Sequence, residues 1–122
     1  MTQPLISLAT AQLAREKGFN WETLHHFVGD REITIVLPVL PANHNADPLK
    51  KSRPTLAHLK QWLLETSDMY VYIISSGKNS FTYILERLHK DYAEILPVME
   101  ERKFISHPEA LEAGLVQALL RS

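Results

Sequence analysis

Residues 69–87, MYVYIISSGKNSFTYILER, decide the reading of this chain. Two runs rich in Tyr, Val and Ile, Met69 to Ser75 and Ser80 to Arg87, flank Ser76-Gly-Lys-Asn79, whose residue types suit a tight turn. The pattern is that of a β-hairpin. Setting Ser75 opposite Ser80 pairs Tyr72 with Tyr83, Ile74 with Phe81 and Tyr70 with Leu85 on one surface. Val71 with Ile84 and Ile73 with Thr82 then occupy the other surface. Both surfaces are apolar, but a sheet covered by helices on one side needs only one. The aliphatic set Met69, Val71, Ile73 and Ile84 is assigned to the core, which leaves Tyr70, Tyr72, Phe81 and Tyr83 as a candidate partner face. Tyrosine suits such a half-wet position because its ring is apolar and its hydroxyl is not.

Working outward, the C-terminal side carries the strongest helix signal. Ser106-His-Pro-Glu109 forms a capping box, Ile105 and Ala110 are placed for a hydrophobic staple, and the helix is predicted over 107–120. Its apolar stripe is doubled, with a small row, Ala110, Gly114 and Ala118, beside Leu111, Leu115 and Leu119. A small row lets backbones approach closely, which explains a glycine that would weaken an exposed helix by about 1 kcal/mol relative to alanine. Val116 and Leu120 lie on the far side and are expected to mark a second, intermolecular contact. Between hairpin and helix, the Ile95–Met99 segment is expected to add a short edge strand.

On the N-terminal side, Leu56, Leu59, Trp62 and Leu63 share one side of a helix predicted over 54–66, with Pro54 in its first turn. A first helix runs from the N-cap Ser7 to about Lys17 and stops at Gly18, which allows Phe19 to fold back onto Leu13 or Ala14. Residues 21–28 read either as a short helix capped by Asn20 or as a strand. Gly29-Asp30 ahead of the β-branched run Ile33-Thr-Ile-Val favours a hairpin, and Pro38 places its second strand near an edge. The segment 41–53, PANHNADPLKKSR, is polar, holds two prolines and reads as a long surface loop. The expected fold is therefore α+β, in the order α-β-β-α-β-β-α: an antiparallel sheet of four to five strands packed on one side by three helices.

A chain of 122 residues has the size of one compact domain, so 1–122 is read as a single unit. The absence of cysteine excludes a disulfide scaffold, a thiol nucleophile and a thiolate metal site, and fits the cytoplasm. No stretch approaches the ~20 apolar residues of a membrane span, and the start lacks the basic, apolar pattern of a signal peptide. Thirteen Lys and Arg against 14 Asp and Glu leave a formal charge of −1, too little to draw the chain as a whole onto nucleic acid.

Lys50, Lys51, Arg53 and Lys60 form the one charge asymmetry, since no acid lies between Asp47 and Glu65, and they make a candidate anion or nucleic-acid patch. His25-His26 with His44 or His58 could supply metal ligands, but adjacent histidines on a strand point to opposite faces and no HExxH pair exists. No metal or other cofactor is expected. Ser75, Ser76 and Ser80 lack a GxSxG elbow, and Glu109 and Glu112 sit where acids stabilise a helix N-terminus. The chain reads as a non-enzymatic interaction or accessory module with a protein partner or a second copy of itself. A nucleic-acid binder using the basic loop and the tyrosine face is the alternative.

The order and spacing of several motifs also resemble a known group. Ser7-Leu8, Glu16-Lys-Gly-Phe19, Pro54-Thr55, Gln61-Trp-Leu63, the Tyr-rich strand pair and Glu109-Ala-Leu-Glu-Ala-Gly-Leu115 are similar to small uncharacterised proteins of gut Bacteroidetes and of their phages and prophages, a family of unknown function. The resemblance touches both ends and the middle of the chain, and residues 20–53 match poorly. It implies an α+β domain encoded on mobile DNA, and it brings no catalytic residues with it.

Overall fold

The computed structural model describes residues 4–23, 25–28, 31–32, 42–46, 50–97 and 103–122. Its elements are α1 (Leu8–Glu16), β1 (His25–Val28), β2 (Arg31–Glu32), β3 (Lys50–Arg53), α2 (Leu56–Ser67), β4 (Met69–Gly77), β5 (Ser80–Leu88), β6 (Ala93–Ile95) and α3 (His107–Arg121). The class is α+β. Among the described residues the strands divide between two three-stranded antiparallel sheets, β2-β1-β3 and β4-β5-β6, where the residue pattern suggested one sheet. The chain forms two compact units, Met1–His58 and Leu59–Ser122, with the boundary inside α2.

In the first unit, Ser7 caps α1 by accepting from the Thr10 amide at 3.4 Å. The helix ends as its residues demand: Gly18 takes φ +91°, its amide reaches the Arg15 carbonyl, and the Phe19 amide reaches the Ala14 carbonyl. That reciprocal pair satisfies two orphan carbonyls and turns Phe19 into the core. A hairpin follows residue 20 as β1 and β2, with Phe27 opposite Glu32, but its second strand is described only over Arg31–Glu32, ahead of the expected run Ile33-Thr-Ile-Val. Ile33 to Pro41 fall outside the described residues, and so does the expected effect of Pro38.

Residues 42–46 and 50–53 depart from the loop expected over 41–53. Ala42 bridges Thr23, His44–Ala46 make a 3-10 turn, and Lys50–Arg53 pair with β1 as an edge strand. A side-chain clamp explains how so polar a segment becomes ordered. Asn45 Oδ1 accepts from the Ser52 amide at 2.8 Å, the Ser52 hydroxyl accepts from the Asn45 amide at 3.1 Å, and Asn45 Nδ2 donates to the Phe19 carbonyl at 2.8 Å. Ser52 is buried, so these bonds replace the water its backbone loses.

In the second unit, Asp68 at φ +54° turns the chain directly from α2 into β4. The β4–β5 hairpin is as expected in its strands, but its register is not. Gly77 pairs with Ser80 across the two-residue turn Lys78-Asn79, Asn79 takes φ +57°, and Ser76 is left over as a bulge. Ser75 therefore opposes Phe81, and every pair below it is displaced by one residue from the expected set. With a side-chain period of two, that shift exchanges the two faces of β5. The inner face is Met69, Val71, Tyr83 and Leu85, all buried, and α3 packs along it. β6 adds the short edge strand as Ala93–Ile95, ahead of the expected 95–99.

Helix α3 follows the expected stripe. Ala110, Leu111, Gly114, Leu115, Ala118 and Leu119 are all buried. A methyl group placed on Gly114 would lie 2.6 Å from Val71 Cγ1 and 3.0 Å from Tyr83 Cβ and Cγ, so glycine is what allows helix and sheet to meet. Ser106 accepts from the Glu109 amide at 3.3 Å as the N-cap. The staple is absent: Ile105 is 71% exposed while Ala110 is buried, because Phe104, bridged to Phe81, takes the inward position instead.

Candidate interaction surface

The outer face of β4-β5-β6 is built by ladder alternation. Opposed residues share a side, so Tyr70–Glu86–Ile95, Tyr72–Ile84 and Ile74–Thr82 form three cross-strand rows facing away from α3. Two of its side chains are well exposed, Ile74 at 41% and Ile95 at 66%. Polar tips stud this apolar surface. Tyr72 Oη donates to Glu86 Oε1 at 3.1 Å, and Lys60 Nζ stands 5.1 Å from the centroid of the Tyr70 ring. The Tyr70 and Tyr72 rings lie 5.6 Å apart with their planes at 34°. Desolvation, then the hydrogen bond and charge of Glu86, hold the Tyr72 phenol above its ordinary 10.0.

The expected row of four aromatics is corrected by this register. Tyr70 and Tyr72 lie on the outer face, whereas Tyr83 is 4% exposed and packs inward with its ring centroid 6.2 Å from that of Phe104. Phe81 is also on the inner side, opposite Ser75, with its ring against His107. Ile84 moves the other way, from the expected core to the outer face, and Leu85 takes its place inside. Ile84 and Ile95 were therefore missed as surface residues. The signal that could have found them is turn length: four residues separate Ser75 from Ser80, whereas the commonest hairpin turns hold two, with positive φ at a residue such as Asn.

On β3 the period of two sends Lys50 and Lys51 to opposite faces. Arg53 donates from Nε to the Ile6 carbonyl at 2.8 Å and lies 4.8 Å over the Phe27 ring, so it joins the N-terminal segment to the sheet. The Lys50 carbonyl accepts from the Arg15 guanidinium. Lys60 belongs to the second unit and faces Tyr70.

The histidines are dispersed among aromatic contacts. His26 and His44 stack at 4.2 Å, with His44 Nε2 3.0 Å from the Thr23 carbonyl. His58 packs edge-on to Trp21 at 5.2 Å. His89 stacks on Tyr92 and reaches Glu94 at 3.1 Å. Among the described residues no group of three or more His, Asp or Glu is placed to hold a metal ion. Ser76 and Ser80 pair their hydroxyls at 2.9 Å across the hairpin bulge, the turn role their neighbours suggested. Among the same residues no helix is long and apolar enough to cross a membrane. Comparison with family models, with curated proteins and with solved structures returns no match for this chain.

Proposed function

We propose that the chain is a small protein-interaction module whose contact surface is the outer face of β4-β5-β6. The observation that carries this reading is the exposure of Ile74 and Ile95 beside Tyr70, Tyr72 and Ile84, on the side of the sheet opposite α3. Such a mix of aliphatic area and tyrosine tips is what protein contact surfaces enrich, and a contiguous exposed patch of this kind on a small domain is usually used or hidden. The residues of the face include one carboxylate, Glu86, already engaged by Tyr72, which suits burial against a protein better than contact with a phosphate backbone. An accessory role on a mobile element, as the sequence resemblance implies, fits a module of this kind.

The test is an affinity comparison between the wild type and a variant carrying Tyr70→Ser, Ile84→Ser and Ile95→Ser. With Ile105→Ser, an exposed residue ahead of α3, as the control, a specific protein should be retained by the wild type and the control and lost by the triple variant at an unchanged melting temperature. Equal retention by all three removes the outer face from the reading. Retention of DNA or RNA by all three favours nucleic-acid binding instead.

A further inference from the structure

Strand β4 is an edge of its sheet, and its backbone is directed in a way the ladder reveals. The Leu88 amide donates to the Asp68 carbonyl at 2.8 Å, which makes Asp68–Leu88 a hydrogen-bonded pair. In an antiparallel ladder such pairs alternate, so Tyr70, Tyr72 and Ile74 bond to β5 while Met69, Val71, Ile73 and Ser75 turn their N–H and C=O groups away from it. Among the described residues no strand pairs with that side. Met69 and Val71 are buried, but exposure opens from Ile73 onward, and Ile74, Ser75, Ser76 and Gly77 are all exposed.

Edges of this kind are normally guarded by charge or proline. Met69–Gly77 contains neither. The opposite edge does: β6 carries Glu94 in its centre and Pro97 stands two residues past its end, and an antiparallel meeting of two β6 strands would set two Glu94 carboxylates side by side. The contrast leaves β4 as the unguarded edge of this sheet among the described residues.

We infer that β4 pairs antiparallel with β4 of a second copy of this chain, about a twofold axis at Ile74. Ile73 of each copy then exchanges both backbone hydrogen bonds with Ser75 of the other, using the groups that face away from β5. Ile74 meets Ile74 in a non-hydrogen-bonded pair, with Tyr72 flanking it on the same face, and no charge is buried. The Ser76 bulge ends the ladder on each side. The two readings share Ile74 and Tyr72, but this contact uses the strand edge and does not use Tyr70, Ile84 or Ile95, so the two can fail separately.

The absence of native cysteine makes a clean probe available. Facing residues of a non-hydrogen-bonded pair have Cα atoms about 4.5 Å apart, within disulfide range. Ile74→Cys should form a covalent dimer under mild oxidation at least about tenfold faster than Ile105→Cys, an exposed control ahead of α3, because pairing supplies the second thiol at a high effective concentration. The sedimentation mass of the wild type should rise from monomer toward dimer with concentration. Ile74→Lys should stay monomeric at an unchanged melting temperature, and Ile73→Pro, which deletes an outward N–H, should act likewise if it folds. Three results overturn the inference: a wild-type mass that stays monomeric at all concentrations, equal cross-linking of the two cysteine variants, or a dimer that survives Ile74→Lys. Loss of dimer in Tyr70→Ser/Ile84→Ser/Ile95→Ser with Ile74 intact also overturns it, since the face rather than the edge would then be the contact.

Discussion

At Gly114 two residue-level effects of opposite sign compete. Alanine favours the helix over glycine by about 1 kcal/mol, but its methyl would sit 2.6 Å from Val71 Cγ1. Overpacking of a closed core costs about 1 to 3 kcal/mol, so overlap wins and Gly114→Ala should lower the melting temperature. Gly114→Leu should lower it further; a variant as stable as the wild type would show that sheet and helix can part without loss. Tyr72 offers a second test. Its folded-state pKa is raised above the unfolded 10.0, so the stability it contributes is complete below pH 10.0 and is lost as pH rises through the folded value. Alkaline unfolding of Tyr72→Phe should therefore depend less on pH than that of the wild type. Glu86→Gln removes the neighbouring charge and should bring the Tyr72 phenol down in a spectrophotometric titration.

At the level of elements, legibility followed how local the determinants are. Ser7, Gly18 and Phe19 act within one turn of α1, and Ser106 with Glu109 within one turn of α3, so their roles can be read from spacing alone. The face of β5 could not be read this way. One bulged residue, Ser76, decides it, and the choice between a four-residue turn and a bulge with a two-residue turn belongs to the packing of α3 on Val71 and Tyr83. For this reason two of the four expected aromatics lie on the outer face and two on the inner. Strand β3 was hidden for a different reason. Its sequence, Lys-Lys-Ser-Arg, has no strand pattern, and order comes from Asn45 some residues away. Asn45→Ala should therefore destabilise by about 1 to 3 kcal/mol, because the buried Ser52 amide loses its acceptor. Chemical denaturation measures it; a change under a few tenths of a kcal/mol would mean that β1 alone orders β3.

For the molecule as a whole, a formal charge of −1 offers no long-range attraction to nucleic acid, and on β3 Lys50 and Lys51 lie on opposite faces while Arg53 is engaged by the Ile6 carbonyl and the Phe27 ring. The expected outcome is no shift of single- or double-stranded probes in moderate salt. A clear shift that weakens as salt rises would restore the basic residues as a binding surface, and Lys50→Gln with Lys51→Gln should then flatten its salt dependence. Arg53 is left out of that test because it holds the Ile6 carbonyl and the Phe27 ring. The two edges of the second sheet differ in one further respect. A strand that recruits its own kind can build without limit if both borders of the sheet accept a neighbour, and that is the geometry of fibres. Here, among the described residues, Glu94 guards one border of this sheet, so growth through Ile74 uses the unguarded one. The twofold contact is isologous, and once made it leaves no second site of the same kind. Assembly through β4 thus ends at a pair and cannot propagate, which lets an uncharged, strongly β-forming strand remain at the surface without seeding aggregation.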